Sequence, residues 1–394
     1  MTRMPATGRA PRSRHPSSAR SSPASGATAT AIGCATPDGA TASWSARSSP
    51  AATRRSPSPS VTRRSGARRC SRRWPDWSSP ADPRPLVGSP AMTDLLPEVD
   101  LAAVVNLADF EPLARERMLG PAYDYVAGGA WDEITLRESV EAWQRYRFVP
   151  RVLRDVRSID PSGSFLGRRF PLPIAIAPMA AQAMAHPRAE AEMLAAAAAR
   201  NIPFCLSTSC SMTIEDVAAA APDAERWFQL YVVGGMAYSR ELVERAEAAS
   251  FRALVLTVDL PVLGRRERDQ RSGFTVPAMP LIDGAGDERM RRYGGLEDQR
   301  SQGLTWETLA EVRSWSSLPL VVKGILSPAD AELAAQAGVT GLVVSTHGGR
   351  QLDRAISSAD ALAGVAEAVD GRCEVWVDGG IRRGLDVLTA LALG

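Results

Sequence analysis

The chain has 394 residues, 45% of them hydrophobic and 23% charged, with a formal net charge of +2. That balance excludes collagen-like and highly charged disordered chains, and no apolar run approaches the ~20 residues a membrane-spanning helix needs. Five scattered cysteines (Cys34, Cys70, Cys205, Cys210, Cys373) lack zinc-type spacing, so a reduced, cytoplasmic chain without a structural metal fits better than a disulfide scaffold.

The small net charge hides two unlike parts. Residues 1–91 hold 15 arginines against 3 aspartates and no lysine; the remainder holds 31 basic against 41 acidic residues. The acidic body argues against a nucleic-acid surface on the folded part. Residues 1–91 are Ser, Arg, Pro, Ala, Thr and Gly in no periodic order, as in "RRSPSPSVTRRSGARRCSRRW". Such a segment cannot bury enough apolar surface to offset chain entropy, and it is expected to be disordered. Three readings of it compete: a transit peptide, a basic tail for nucleic acid or an anionic membrane, or a translation start placed too early, with Met92 the real beginning. The last is preferred, because neither an amphipathic period nor an apolar signal core is present. The unit expected to fold is 92–394.

From Met92, "VDLAAVVNLADFEPLARERML" and "PAYDYVAGGAWDEITLRESVEAW" predict short helices, with apolar residues at three and four spacing and a glycine pair between segments. Beyond Pro171, apolar runs alternate with Ala/Glu-rich helical stretches. The runs are "PIAIAPMA" (173–180), "PFCLST" (203–208), "WFQLYV" (227–232), "ALVLTVD" (253–259), "PLVVKGI" (319–325), "GLVVSTHGG" (341–349) and "EVWVDGG" (374–380). This alternation predicts a parallel sheet buried on both faces. An open doubly wound sheet is the alternative, but no G-x-G-x-x-G follows the first strand. Polar residues gather at the C-terminal strand ends: Gln229 and Tyr231, Thr257 and Asp259, Lys323, Ser345 and His347, Asp378. That placement favours an α/β fold of the (β/α)8 TIM barrel type. Seven strands are read and the sequence stops inside the helical run "GLDVLTALALG", so the barrel is expected to be truncated before its eighth strand. Between "TVDLPVLGRRERD" and "LTWETLAEVRSW", about thirty residues rich in Gly, Pro and charge are expected to form a lid.

The whole sequence has one lysine, Lys323, set at a strand end where arginine is avoided. A buried lysine needs an anionic partner. Taken singly, His347 reads as a structural histidine, Arg266 and Arg350 as solvated cations, and Asp259 as a helix cap. Together on one rim they form a base, two arginines, a lysine and tyrosine hydroxyls. Arginine forks fix a carboxylate bidentately. A histidine beside an aspartate is oriented as a proton abstractor, and a lysine stabilises an electron-rich cofactor ring. "VDGGIRRG" places glycines and arginine where backbone amides can cradle a phosphate.

From about residue 95 onward the sequence resembles the FMN-dependent α-hydroxy-acid oxidases and dehydrogenases. The resemblance rests on seven motifs in order: "YDYVAGGAWDEITL", "APMAAQAMAHP", "FQLYV", "LTVDLPVLGRRERD", "LVVKGI", "STHGGRQLD" and "DGGIRRGLDVLTALALG". It implies FMN as cofactor and oxidation of an L-2-hydroxy acid to the 2-oxo acid, with a hydride equivalent reaching flavin N5. Residue by residue, it implies that His347 is the base, oriented by Asp259, with Tyr231 at the substrate in the same catalytic set. Tyr125, Arg266 and Arg350 are implied to hold the carboxylate. Gln229, Thr257, Lys323 and Ser345 are implied to bond the flavin. Ala177, Pro178, Met179, Ala180 and Ser207 are implied to pack along it, and Asp378, Gly379, Gly380 and Arg382 to hold its ribityl and phosphate. A homotetramer is the assembly it suggests.

The departures bear on function. Thr346 stands where the family usually has asparagine, and Ser209 where many members carry a larger residue lining the side-chain pocket, which implies tolerance of a bulkier hydroxy acid. Ala180 is like the oxidases and leans towards O2 as acceptor. Another electron acceptor, a tailoring oxidoreductase with a different substrate, and a flavin-free remnant with only a binding role are the alternatives.

Overall fold

The computed structural model describes residues 100–275, 277, 279–284 and 303–394. The segment read as disordered, and residues 285–302 of the expected lid, lie outside the described residues. The described chain begins with two 3-10 turns, Leu101–Ala103 and Leu107–Asp109, and three short helices, Phe110–Arg117, Gly120–Ala127 and Ile134–Glu141. A two-stranded antiparallel hairpin follows, β1 (Gly163–Phe165) and β2 (Arg168–Phe170).

Six strands then form one parallel sheet in sequence order: β3 (Phe204–Ser207), β4 (Arg226–Leu230), β5 (Leu254–Thr257), β6 (Leu320–Ile325), β7 (Gly341–Val344) and β8 (Glu374–Val377). Each coincides with a predicted apolar run and is followed by a helix, which for β3 to β7 returns the chain to the next strand. Helix starts are set by side-chain caps at Thr213, Thr305, Ser327 and Ser357, which satisfy amides that a helix leaves unpaired. The (β/α)8-type order expected from the alternation is therefore observed. The first predicted strand, 173–180, is reduced to a single parallel bridge, Ile176 to Phe204. Pro173 and Pro178 within it have no N–H to donate to a ladder.

Two cores sandwich the sheet. Leu206, Phe228, Leu254, Leu256, Val322 and Leu342 point to the helix layer. Cys205, Trp227, Val255, Val321 and Val343 point to the barrel interior. The hairpin plugs that interior from below: Phe165 meets Trp227 and Trp376 edge-on, and the two indoles stack at 4.8 Å. Their Nε1 atoms donate to Glu225 and Glu374. β8 is half-buried along its length, unlike the fully buried β3, β4, β5 and β7. The helix behind it, Gly384–Leu393, exposes Leu385, Leu388 and Leu391. No helix among the described residues is long and apolar enough to cross a membrane.

Candidate active site

Parallel register sets the polar rim. Ser207 lies beside Gln229 and Thr257 beside Lys323, so neighbouring strand ends present their side chains at one level. Ser207 Oγ donates to Gln229 Oε1 at 3.1 Å, and Gln229 Nε2 donates to Thr257 Oγ1 at 3.0 Å. Thr208 adds its amide to Gln229 Oε1 at 3.2 Å. The carboxamide is thereby fixed between three strands.

Lys323 is buried and has an anionic neighbour. Its Nζ donates to Ser345 Oγ at 2.7 Å and lies 3.3 Å from Asp378 Oδ2. Burial works to discharge this ammonium, but Asp378 and Asp259 outweigh it and hold the pKa above its ordinary value. Ser345 Oγ also accepts from the His347 amide at 3.0 Å, so one hydroxyl links the lysine to the histidine's backbone.

His347 is held from both ring nitrogens. Nδ1 lies 2.8 Å from Asp259 Oδ1, and Nε2 lies 3.3 Å from Tyr231 Oη. Its backbone is left-handed (φ 55°), and Gly348 and Gly349 continue that turn. A non-glycine residue in this region costs conformational energy and persists only where its surroundings impose it. Burial lowers the imidazole pKa below 6.5, with Asp259 opposing and Lys323 reinforcing the shift. Burial raises the Asp259 carboxyl, but the neighbouring His347 and Lys323 outweigh it and the net shift is downward. Burial also pushes the Tyr231 phenol well up. At neutral pH the set is therefore a neutral imidazole between a carboxylate and a phenol.

Beside it, Tyr125 lies in a cationic and aromatic sandwich. The Arg350 guanidinium sits 4.8 Å from its ring centroid and Arg266 5.5 Å, while Phe274 stacks at 4.6 Å. Arg350 Nη1 donates to the carbonyls of Tyr125 at 2.6 Å and Gly128 at 2.7 Å. Burial, with Arg266 nearby, brings the Arg350 pKa down to about 10. The buried Arg266 and the half-buried Arg350, both against Tyr125, leave a concentration of positive charge suited to an anion.

A cavity of about 1140 Å³ is lined in part by Ala177, Pro178, Met179, Lys323, Arg350 and Asp378 to Arg383; it reaches the two groups at Arg350 and at Gly348, next to His347, while His347, Asp259, Tyr231, Tyr125 and Arg266 do not line it. Ala177, Met179 and Arg382 are exposed, and Ala180 is half-buried. Gly379 and Gly380 have φ of 94° and 75°, so this turn is open to glycine and costly for other residues. Asp378 Oδ1 and Thr346 Oγ1 are buried without a partner. A buried cation, an orphan acceptor, an apolar wall and rim arginines fit a group carrying an electron-rich ring, a polyol and a phosphate. Ser209 is buried with its hydroxyl unpartnered and does not line this cavity. Not singled out from the sequence were Gly324, Gln351 and Asp353, although all three stand inside quoted motifs.

The profile of the FMN-dependent dehydrogenase family matches residues 114–394. The chain belongs to the FMN-dependent α-hydroxy-acid oxidase and dehydrogenase family. FMN is accordingly its cofactor, and the chain is an FMN-dependent oxidoreductase. L-lactate oxidase of Nostoc sp. is 43% identical over 307 residues, covering 75% of this chain and 84% of that protein. 4-hydroxymandelate oxidase of Amycolatopsis orientalis is 42% identical over 298 residues, covering 74% and 83%. A crystal structure of mandelate oxidase superimposes with a TM-score of 0.68 at 41% identity, covering 74% of this chain and 83% of that one. The family's barrel fold is thus shared, and the strand ends described above are where such barrels carry their chemistry.

Proposed function

We propose that the protein oxidises an L-2-hydroxy acid to the corresponding 2-oxo acid, with O2 as acceptor and hydrogen peroxide as the second product. The observation that carries this reading is His347, held on Nδ1 by Asp259 and on Nε2 by Tyr231, on the same rim as the Arg266–Tyr125–Arg350 cluster. Arg266, Arg350 and Tyr125 bind the substrate carboxylate, through charge-assisted bonds whose geometry lysine does not reproduce. His347, neutral because it is buried, takes a proton from the substrate at Nε2, the nitrogen that faces Tyr231. Asp259 stabilises the imidazolium that results. Tyr231 stays protonated and donates to the substrate oxygen. FMN supplies the acceptor for the two electrons that leave as a hydride equivalent. Lys323, with Gln229, Thr257 and Ser345, holds the polar edge of its ring; Ala177, Pro178, Met179, Ala180 and Ser207 flank it; and Asp378, Gly379, Gly380 and Arg382 take its ribityl and phosphate.

The decisive measurement is anaerobic bleaching of the flavin absorbance by a panel of aliphatic and aromatic 2-hydroxy acids. Bleaching by at least one (S)-acid, and peroxide formation on admitting air, are expected. A yellow protein that none of them bleaches would remove the proposal. Arg350→Lys is expected to raise KM for a hydroxy acid by roughly a hundredfold, the loss of one bidentate charged contact.

A further inference from the structure

The loop after His347 does more than deliver Arg350. Helix Ile134–Glu141 opens on Glu133, a left-handed residue (φ 58°) whose side chain makes no cap hydrogen bond. The first amides of this helix therefore need a partner from elsewhere. Asp353 supplies it from across the sequence. Its Oδ1 accepts from the Thr135 amide at 2.8 Å, and its Oδ2 from the Asp132 amide at 3.1 Å. Thr135 returns the contact, its Oγ1 accepting from the Ala355 amide at 3.1 Å.

The same loop is fastened at two further points, and a third bond ties its two neighbours to each other. Ala130 N donates to Gly349 O at 2.9 Å, while Trp131 N donates to Arg265 O at 2.8 Å between the neighbouring segments. Gly264 N donates to Gln351 Oε1 at 3.1 Å. The approaches leave no room for side chains: a Cβ on Gly264 would lie 2.2 Å from Arg350 O, and one on Gly349 2.5 Å from Leu136 N. The segment 349–355 is thus bonded on one side to the turn that leaves the Tyr125 helix. On the other it is bonded to the residues leading into Arg266. These are the three elements that carry the Tyr125 sandwich.

Asp353 is only 9% exposed, and its carboxyl takes part in nothing the proposed reaction uses. Burial works to raise its pKa, but the amides of Thr135 and Arg354 outweigh it and hold the group ionised. An ionised carboxylate suits this place, because helix-start amides carry partial positive charge and one acceptor oxygen is available for each of them.

We propose that Asp353 is a positioning residue of the carboxylate site: it caps helix Ile134–Glu141 from the far end of the chain and so fixes Tyr125, Arg266 and Arg350 in one constellation, without touching substrate. The inference rests on the proposed reading that this constellation binds the substrate carboxylate. Asparagine would keep one acceptor but set its NH2 against the second amide, loosening one side of the knot.

The test uses FMN-loaded wild type and Asp353→Asn, titrated with oxalate and followed by the flavin spectrum. Turnover of a 2-hydroxy acid and of its amide analogue is measured in parallel. Asp353→Asn is expected to retain FMN, to raise the oxalate Kd and the KM for the acid by about tenfold or more, and to change kcat little, since misplacement by a fraction of an ångström suffices. Turnover of the amide analogue, which lacks the carboxylate, is expected to be unaffected. An unchanged oxalate Kd, or an equal loss on the amide analogue, would overturn the inference. Should Asp353→Asn not fold, Thr135→Val, which removes the acceptor for Ala355 and the hydroxyl that bonds the Asp353 carboxylate, carries the test: a rise in oxalate Kd supports the inference and no rise overturns it. If wild type itself shows no response to oxalate, the carboxylate reading fails and the inference falls with it. A wild-type response matched by both variants overturns the inference alone.

Discussion

Asp259 Oδ1 lies 2.8 Å from His347 Nδ1, joining the loop after β5 to the loop after β7 across the intervening strand. The bond fixes the proton on Nδ1 and turns Nε2 towards Tyr231 and the rim. Asp259 Oδ2 is buried without a partner, so the carboxylate is committed to this one side-chain contact. Replacing it by asparagine keeps the shape but removes the charge and permits the wrong tautomer. Asp259→Asn is expected to lower kcat by ~10²–10⁴, the contribution of a correctly positioned general base. Rapid-mixing measurement of anaerobic flavin reduction checks this, with bound FMN as the control. A near-normal reduction rate would show that His347 does not depend on Asp259.

The acidity of His347 gives the pH dependence a sign. Burial holds its pKa below the ordinary 6.5, and a base must be neutral to accept a proton. kcat/KM is therefore expected to be level at neutral pH and to fall as pH drops through an inflexion below 6.5, where the free enzyme's base is titrated. Stability carries the same sign. The unfolded histidine protonates near 6.5 while the folded one resists, so the contribution is present above that value and is lost as pH falls through the folded pKa. An acid-limb inflexion above 6.5 in the kcat/KM profile would contradict this.

The strand order and most of the rim could be read from the sequence because both are periodic or punctuated signals. Runs such as "LVLTVD" and "LVVKGI" place polar residues directly after β-branched ones, and a parallel sheet brings such ends together whatever the helices do. The contact of Lys323 with Asp378 follows in the same way. Other features depend on tertiary approach and leave no local mark. Pro173 and Pro178 reduce a good apolar run to one bridge. Asp353 caps a helix 218 residues away, a distance at which spacing carries no information. Thr346, an unexplained departure in the sequence, is a buried residue whose hydroxyl has no protein partner. Nothing in the fold requires threonine there.

Lys323 tests why this chain, otherwise an arginine user, keeps one lysine. Its ammonium fits between Ser345 Oγ and Asp378 Oδ2 at 2.7 and 3.3 Å with only 5% of the residue exposed. A planar guanidinium is larger and needs a fork of acceptors that this site does not offer. Lys323→Met leaves the half-buried Asp378, whose Oδ1 already lacks a partner, without its cation. Both Lys323→Arg and Lys323→Met are expected to release FMN at least ~10-fold more readily, as seen by flavin fluorescence in the filtrate. Retention of FMN by Lys323→Arg would show that charge alone suffices.

Gly324 completes the device that holds Asp259. β6 shifts register between Lys323 and Ile325, and the intervening Gly324 adopts φ 111°, a conformation that residues with a Cβ avoid. A Cβ here would lie 2.5 Å from Asp259 Cβ and 2.7 Å from its Cγ. The irregularity thus makes room for the aspartate that orients His347, and it also sets the residue after Lys323. Gly324→Ala must either flatten the bulge or displace Asp259. A destabilisation of ~1–3 kcal/mol is expected from the overpacking. A fall in kcat comparable to that of Asp259→Asn should accompany it if the carboxylate moves by even ~1 Å. Thermal unfolding and flavin reduction together separate the two effects. A lowered Tm with wild-type reduction would mean that the strand yields and Asp259 stays in place.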